Sequence, residues 1–146
     1  MRLVVDATVI VQLALSGGSL GPLDGHELLA PPLLASEVTS VLADLAYRSE
    51  IPEAHGRAAV RVADALPITY SRPDGLSERA WDIARTLGWA KTYDAEYIAL
   101  AAISEAPLVT LDERLRRGAG HLVSMPSPAD LGWRTPSRVL EASMGR

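Results

Sequence analysis

The sequence predicts an α/β domain with a mostly parallel central sheet of four to five strands. Three observations carry that prediction. Short aliphatic or β-branched runs at 2–6, 26–30, 68–71, 107–110 and 121–124 alternate with longer stretches of helical periodicity. Two junctions repeat one layout, an apolar strand, then an acid, then a helix: Leu3-Val4-Val5-Asp6 before Ala7, and Leu108-Val109-Thr110-Leu111-Asp112 before Glu113. The chain has 146 residues, 48% of them hydrophobic, which suits one domain with a sizeable core.

The elements follow in order. Residues 2–6 form a buried strand ending at Asp6. Residues 7–15 are apolar almost all round and predict a central helix. Asp6 sits at the junction, where an N-cap alone accounts for an Asp. Residues 16–25 hold four glycines and a proline and form a loop. After the 26–30 strand, Pro31-Pro32 opens a helix over 33–49. Its stripe is Leu34, Val38, Val41, Leu42 and Leu45, with Glu37 at the stripe edge. Residues 52–66 predict a helix with a narrow apolar face of Ala54, Ala58, Val62 and Leu66. Residues 68–71 are extended, and Arg72-Pro73-Asp74-Gly75 is a turn. A helix over 76–87 is closed by Gly88.

The next helix begins Tyr93-Asp94-Ala95-Glu96-Tyr97-Ile98. On a 3.6-residue period Asp94, Tyr97, Ile98 and Ala101 share a face that should pack inward. Glu96 falls on the opposite face and reads as surface. A buried carboxylate is costly unless paired or bound to a cation, so Asp94 asks for a partner. The 107–110 strand leads to Asp112 and a helix stopped by Gly118. A last strand is expected at 121–124. Residues 126–136 are Pro-rich, with Trp133 expected to anchor them to the body, and 137–144 suit a small helix. The chain therefore divides into a domain over 1–125 and a C-terminal extension over 126–146.

Composition excludes some chemistry. There is no cysteine, so disulfides and thiolate metal sites are absent, and a cytoplasmic location fits. No apolar run approaches a membrane span, and no membrane partner is expected. His26, His55 and His121 are scattered, without metal spacing. G-x-S-x-G, GxGxxG and Walker A patterns do not occur. Net charge is −4, which argues against non-specific nucleic-acid binding. Of the 14 basic residues all but Lys91 are arginine, a residue suited to phosphate and to carboxylate alike.

The informative set is acidic: Asp6, Glu37, Asp94 and Asp112. In open α/β sheets, sites form beyond the carboxyl ends of strands, which places Asp6 and Asp112 there. Unit charges ~4 Å apart repel by about 4 kcal/mol at an effective dielectric of 20. A converging cluster would take up protons or bind a hard cation. With oxygen ligands only, that cation is Mg²⁺ or Mn²⁺ rather than Zn²⁺.

Val5-Asp6-Ala7-Thr8, Ser36-Glu37-Val38, Tyr93-Asp94-Ala95-Glu96-Tyr97 and Val109-Thr110-Leu111-Asp112-Glu113-Arg114-Leu115 together resemble a PIN domain, and more narrowly the VapC-type toxins of toxin–antitoxin modules. The resemblance covers about residues 2–125. It implies a three-layer α/β/α fold and a metal-dependent ribonuclease using Mg²⁺ or Mn²⁺. Asp6, Glu37, Asp94 and Asp112 match the family's acidic catalytic positions, with Asp6, Asp94 and Asp112 as metal ligands. Thr8 and Thr110 match supporting hydroxyl positions, although each also reads as a cap or strand-end residue. An RNA substrate, an antitoxin that covers the acidic pocket, and a homodimer are implied as partners. Arg114, Arg116 and Lys91 are candidate phosphate contacts, and a solvated helix face is the plain alternative for the arginines.

Two other readings are kept. A PIN-fold protein without catalysis would serve as a binding partner, against which stands the presence of all four acids. A phosphatase or receiver domain would carry a second acid beside the first strand, which Asp6-Ala7-Thr8 lacks.

Overall fold

The computed structural model describes residues 1–133. Four strands make one sheet in the order β3-β2-β1-β4. They are β1 (Arg2–Val5), β2 (Glu27–Ala30), β3 (Ile68–Tyr70) and β4 (Leu108–Val109). Every pairing is parallel. Leu3, Val4 and Val5 are consecutive and wholly buried. Successive strand side chains point to opposite faces, so both faces of β1 are covered.

The helices do the covering. They are α1 (Ala7–Leu15), α2 (Leu33–Tyr47), α3 (Glu53–Ala65), α4 (Leu76–Leu87), α5 (Tyr93–Ser104) and α6 (Glu113–Ala119). α1, α2 and α3 pack on one another, while α4 packs on α5 and α5 lies against β1 and β4. The result is the three-layer α/β/α arrangement. Strand order decides where a site can form. The chain runs outward from β1 to β2 to β3, then returns to the other side of β1 for β4. The crevice at such a reversal, beyond the carboxyl ends of β1 and β4, is where open α/β sheets bind ligands.

Most boundaries follow the local chemistry. α1 and α4 span the residues that periodicity assigns them. Gly88 closes α4 with φ +73°, a left-handed conformation natural to glycine, and its N–H reaches Ala84 O and Arg85 O. α3 departs from expectation. Val62 and Leu66 of the expected face are half-buried against the core, but Ala54 and Ala58 are exposed, and the fully buried positions are Gly56 and Ala59. Close approach to α2 sets that register: a Cβ at Gly56 would lie 3.4 Å from Ala46 Cβ and from Ile51 Cδ1.

Residues 121–124 are not a strand. One backbone bond, Leu108 N–H to Ser124 O at 2.8 Å, brings this segment beside β4, but no ladder develops. The segment after Pro126 begins against the body: Trp133 packs on the core and its N–H donates to Pro128 O at 2.8 Å. The helix expected over 137–144 lies outside the described residues. No helix among the described residues is long and apolar enough to cross a membrane.

Candidate active site

The site begins with a buried polar knot. Among the described residues, the buried polar side chains are Asp6, Thr8 and Thr110. All three belong to one hydrogen-bonded cluster between the ends of β1 and β4. Thr8 Oγ1 donates to Asp6 Oδ1 at 2.5 Å, and Thr110 Oγ1 donates to Asp6 Oδ2 at 2.5 Å. The direction of both bonds is fixed from behind. Leu111 N–H donates to Thr8 Oγ1 at 2.9 Å, and Asp112 N–H donates to Thr110 Oγ1 at 3.0 Å. Each hydroxyl thus receives a backbone proton and passes its own to Asp6. Asp6 also caps α1, accepting from Val9 N–H at a longer 3.3 Å.

This environment pulls Asp6 in two directions. Burial raises its pKa, and the two hydroxyls and the Val9 amide lower it; burial prevails and carries the group to about 7. Asp94 adds a small upward push through like charge. A donor set suited to an anion therefore holds a carboxyl that burial pushes up to about 7.

The other acids surround this knot. Asp6, Glu37, Asp94 and Asp112 line one cavity of about 90 Å³, together with Thr8, Tyr97 and Arg114. Glu37, on α2, is half-buried and accepts a hydrogen bond from Tyr97 Oη on α5. Burial raises its pKa, the Tyr97 bond lowers it, and Asp94 and Glu96 raise it further. Asp94 stands at the rim of the cavity rather than inside the core. Tyr97, Ile98 and Ala101 on its face are buried while Asp94 is exposed on one side. It belongs to the first turn of α5, which overhangs the sheet end. The protein around its carboxyl and then Asp112 raise its pKa, against Arg114, which lowers it. Asp112 caps α6 through Arg114 N–H at 2.9 Å and Leu115 N–H at 3.2 Å.

These donors suit a hard divalent cation: they are oxygen atoms only, and three of them hold raised pKa values that a cation would reverse. Among the described residues, no three His, Asp or Glu side chains close on one point tightly enough to hold an ion as they stand. The carboxylates line a common cavity with room between them, as mutually repelling groups do.

The cationic candidates divide. Arg114 lines the cavity and pairs with Asp112, Nε to Oδ1 at 3.7 Å. Lys91 is exposed on an adjoining groove that shares Asp94, Asp112 and Arg114 with the cavity. Arg116 departs from the sequence expectation of a phosphate contact. Its guanidinium donates to Thr110 O at 2.5 Å and to Pro126 O at 3.4 Å, and it pairs with Glu113. It braces the end of β4 from behind.

Two participants escaped the sequence reading. Tyr97 counted only as core, yet its hydroxyl holds Glu37. The signal was available: a tyrosine, in place of phenylalanine, on a buried face needs a partner for its hydroxyl. Glu96 is no surface residue. Its side chain is 16% exposed and pairs with Arg72 at 3.8 Å. Helical periodicity put it opposite Asp94 but could not foresee that the 72–75 turn covers that side.

Comparison with known proteins gives the fold and the lineage. The PIN domain family model matches residues 3–120. Ribonuclease VapC9 of Mycobacterium tuberculosis is 39% identical over 114 residues, 77% of this chain and 87% of that protein. Ribonuclease VapC1 of the same organism is 35% identical over 127 residues, 80% of this chain and 90% of that one. Among solved structures, PAE2754 from Pyrobaculum aerophilum superposes over 100% of both chains with TM-score 0.66 at 21% identity. VapBC2 from Rickettsia felis, bound to a promoter DNA fragment, gives 0.59 at 10% identity over 87% of this chain and 98% of that one. At those identities the two structures speak for the fold, and the VapC sequences speak for the lineage. With the family model spanning most of the chain and relatives of 35–39% identity, the chain belongs to the PIN domain family, among the VapC ribonucleases.

Proposed function

We propose that this chain is a divalent-metal-dependent endoribonuclease, the toxin of a toxin–antitoxin pair, and that it hydrolyses RNA phosphodiesters at the acidic cavity. One observation carries the reading: Asp6, Glu37, Asp94 and Asp112, from four separate elements, line one small cavity at the strand-order reversal. The names of the VapC relatives supply the substrate class.

Asp6, Asp94 and Asp112 would hold Mg²⁺ or Mn²⁺, which when bound activates water and neutralises charge growing on the phosphate. The chain's own residues do the rest. Thr8 and Thr110 fix both oxygens of Asp6 and leave each a further lone pair for a ligand. Tyr97 orients Glu37, whose raised pKa suits it to take up a proton from the attacking water. Arg114 sits at the cavity mouth, where a phosphate oxygen needs a countercharge.

The antitoxin would be a protein that covers this mouth, and the active form a homodimer. The domain would close near residue 125, leaving 126–146 as an extension. Cleavage of single-stranded RNA in Mn²⁺ tests the reading. EDTA should stop it, and Asp94→Asn should abolish it. Undiminished cleavage by Asp94→Asn would remove the acidic cavity from the mechanism, and a wild type inert on RNA would favour a PIN-fold binding partner.

A further inference from the structure

Beside the acidic cavity lies a larger groove of about 610 Å³. The two share a wall, since Asp94, Asp112 and Arg114 line both. The far side of the groove is different in character. It is made by the loop between α4 and α5, which runs from Gly88 to Thr92, and by the first residue of α5. That loop contributes Trp89 and Lys91, and α5 contributes Tyr93.

Two of these residues, Lys91 and Tyr93, have no packing reason to be what they are. Tyr93 is 58% exposed although it opens a helix whose body is buried. Lys91 is exposed, and it is the single lysine of the chain. Trp89 is half-buried: it rests on the core and shows its remaining surface to the groove. The groove volume lies within the ~300–1,000 Å³ of small-ligand sites. Two aromatic rings, a lysine and an arginine make up the lining that single-stranded nucleic acids use, with bases stacking on rings and the backbone tracked by cations.

Charge favours the same occupant. The chain is acidic overall, with net charge −4. Against that background Lys91 and Arg114 set two cations beside Asp94 and Asp112, where a phosphate backbone would have to pass the carboxylates. The exposed Tyr93 ring, with the part of Trp89 that reaches the groove, offers a sequence-tolerant platform, because every base has a π-face.

We propose that this groove is a nucleobase subsite: it receives an unpaired base of the RNA next to the scissile phosphate, stacked on Tyr93 and Trp89, with Lys91 and Arg114 on the flanking phosphates. The inference rests on RNA being cut at the acidic cavity. It adds that one base beside the cut must leave its stack to enter the groove.

Cleavage of a set of short single-stranded RNAs in Mn²⁺, each with one nucleotide made abasic, tests this. In wild type, one position beside the cut should lose cleavage efficiency when its base is removed, by ~5- to 100-fold for one stacked base. Tyr93→Ala should lose a similar factor on intact RNA and become indifferent to the base at that position. Tyr93→Phe should restore both the rate and the base dependence, and Trp89→Phe should retain them. Lys91→Ala should weaken intact and abasic substrates alike. Equal cleavage of all abasic RNAs by wild type would overturn the subsite. So would a Tyr93→Ala variant that matches wild type on intact RNA. In both cases the nuclease reading stands. No cleavage of any RNA by wild type would overturn the nuclease reading and the subsite with it.

Discussion

The β1–α1 and β4–α6 junctions share one design, yet they use their acids differently. In each, an apolar strand ends, an aspartate caps the next helix, and a threonine stands two residues away. Asp112 does what a cap does: one oxygen serves two amide protons of α6 at 2.9 and 3.2 Å, and Arg114 stands alongside. Asp6 caps only through the longer 3.3 Å bond, and its stronger partners are two hydroxyls from both junctions. Capping explains Asp112 almost fully. It leaves most of Asp6 unexplained, because a buried carboxyl gripped on both oxygens is costly unless a charge meets it. The comparison teaches that one sequence pattern can yield an acid whose place in the fold a cap accounts for, Asp112, and one whose place it does not, Asp6, although both line the same cavity.

Replacing each acid by Asn tests the contrast most severely. Both substitutions should remove RNA cleavage by about 10³-fold or more, the order expected when several kcal/mol of charge stabilisation are lost. Their effects on folding should differ. Asn caps a helix about as well as Asp, so Asp112→Asn should melt near wild type. Asp6→Asn places an NH₂ opposite a threonine hydroxyl whose proton already points at it. Thermal melts with and without Mn²⁺ should show the metal-induced rise lost in Asp6→Asn. An unchanged rise would mean that Asp6 is only structural.

In EDTA the junctions should also part by pH. The folded chain holds the Asp6 proton up to about 7, while the unfolded chain releases it near 3.8. Between those values the folded state binds more protons, so metal-free stability falls as pH rises. Full expression of that interval is worth about 4 kcal/mol at most. Glu37 and Asp94, also raised, act in the same direction. Asp6→Asn should flatten the slope of melting temperature against pH between 4 and 7, and Asp112→Asn should keep most of it. A metal-free wild type that gains stability over this range would contradict the buried, protonated Asp6.

Thr110 ties the two junctions together, since it accepts from Asp112 N–H and donates to Asp6. Thr110→Val keeps the shape and removes both bonds. Loss of a group that orients a metal ligand typically costs ~10- to 100-fold in metal affinity or activity. Thr110→Ser should recover most of it. Mn²⁺ titration alongside the cleavage rate would check whether the loss lies in metal binding, and a wild-type affinity in Thr110→Val would detach the threonine from the site.

Sequence was informative where one residue's surroundings are local. The strand–acid–helix pattern located both junctions, and periodicity located α1, α4 and the buried face of α5. The four acids could be named only as a set: taken singly, Asp6 reads equally as an N-cap and Glu37 as the solvated edge of a stripe. What sequence could not supply was set by contacts across long separations. Tyr97 and Glu37 are 60 residues apart, and nothing near either announces the bond between them. α3 took its register from how closely Gly56 lets it approach α2. Residues 121–124 have strand composition, but they meet β4 through one bond at its short edge.

Arg114 and Arg116, two of the three arginines of α6, give the finest version of the comparison, because they stand two positions apart and are opposite in use. Arg116 is enclosed, with its guanidinium on Thr110 O, Pro126 O and Glu113. Arg116→Ala would leave the carbonyl of buried Thr110 without that donor, a loss of about 1–3 kcal/mol. Arg114 is exposed, and its pair with Asp112 at 3.7 Å adds little to stability, as surface pairs generally do. Its removal should leave the melting temperature almost unchanged. If Arg114 meets a phosphate, Arg114→Ala should weaken RNA binding a few-fold and reduce the slope of log K against log salt by about 1. Arg116→Ala should melt earlier with an unaltered salt slope. Measuring both quantities on both variants separates the roles, because a bracing arginine moves only stability and a phosphate-binding arginine moves only the salt dependence. If the two variants exchange these signatures, the cationic side of the site lies behind β4 rather than at the mouth of the cavity.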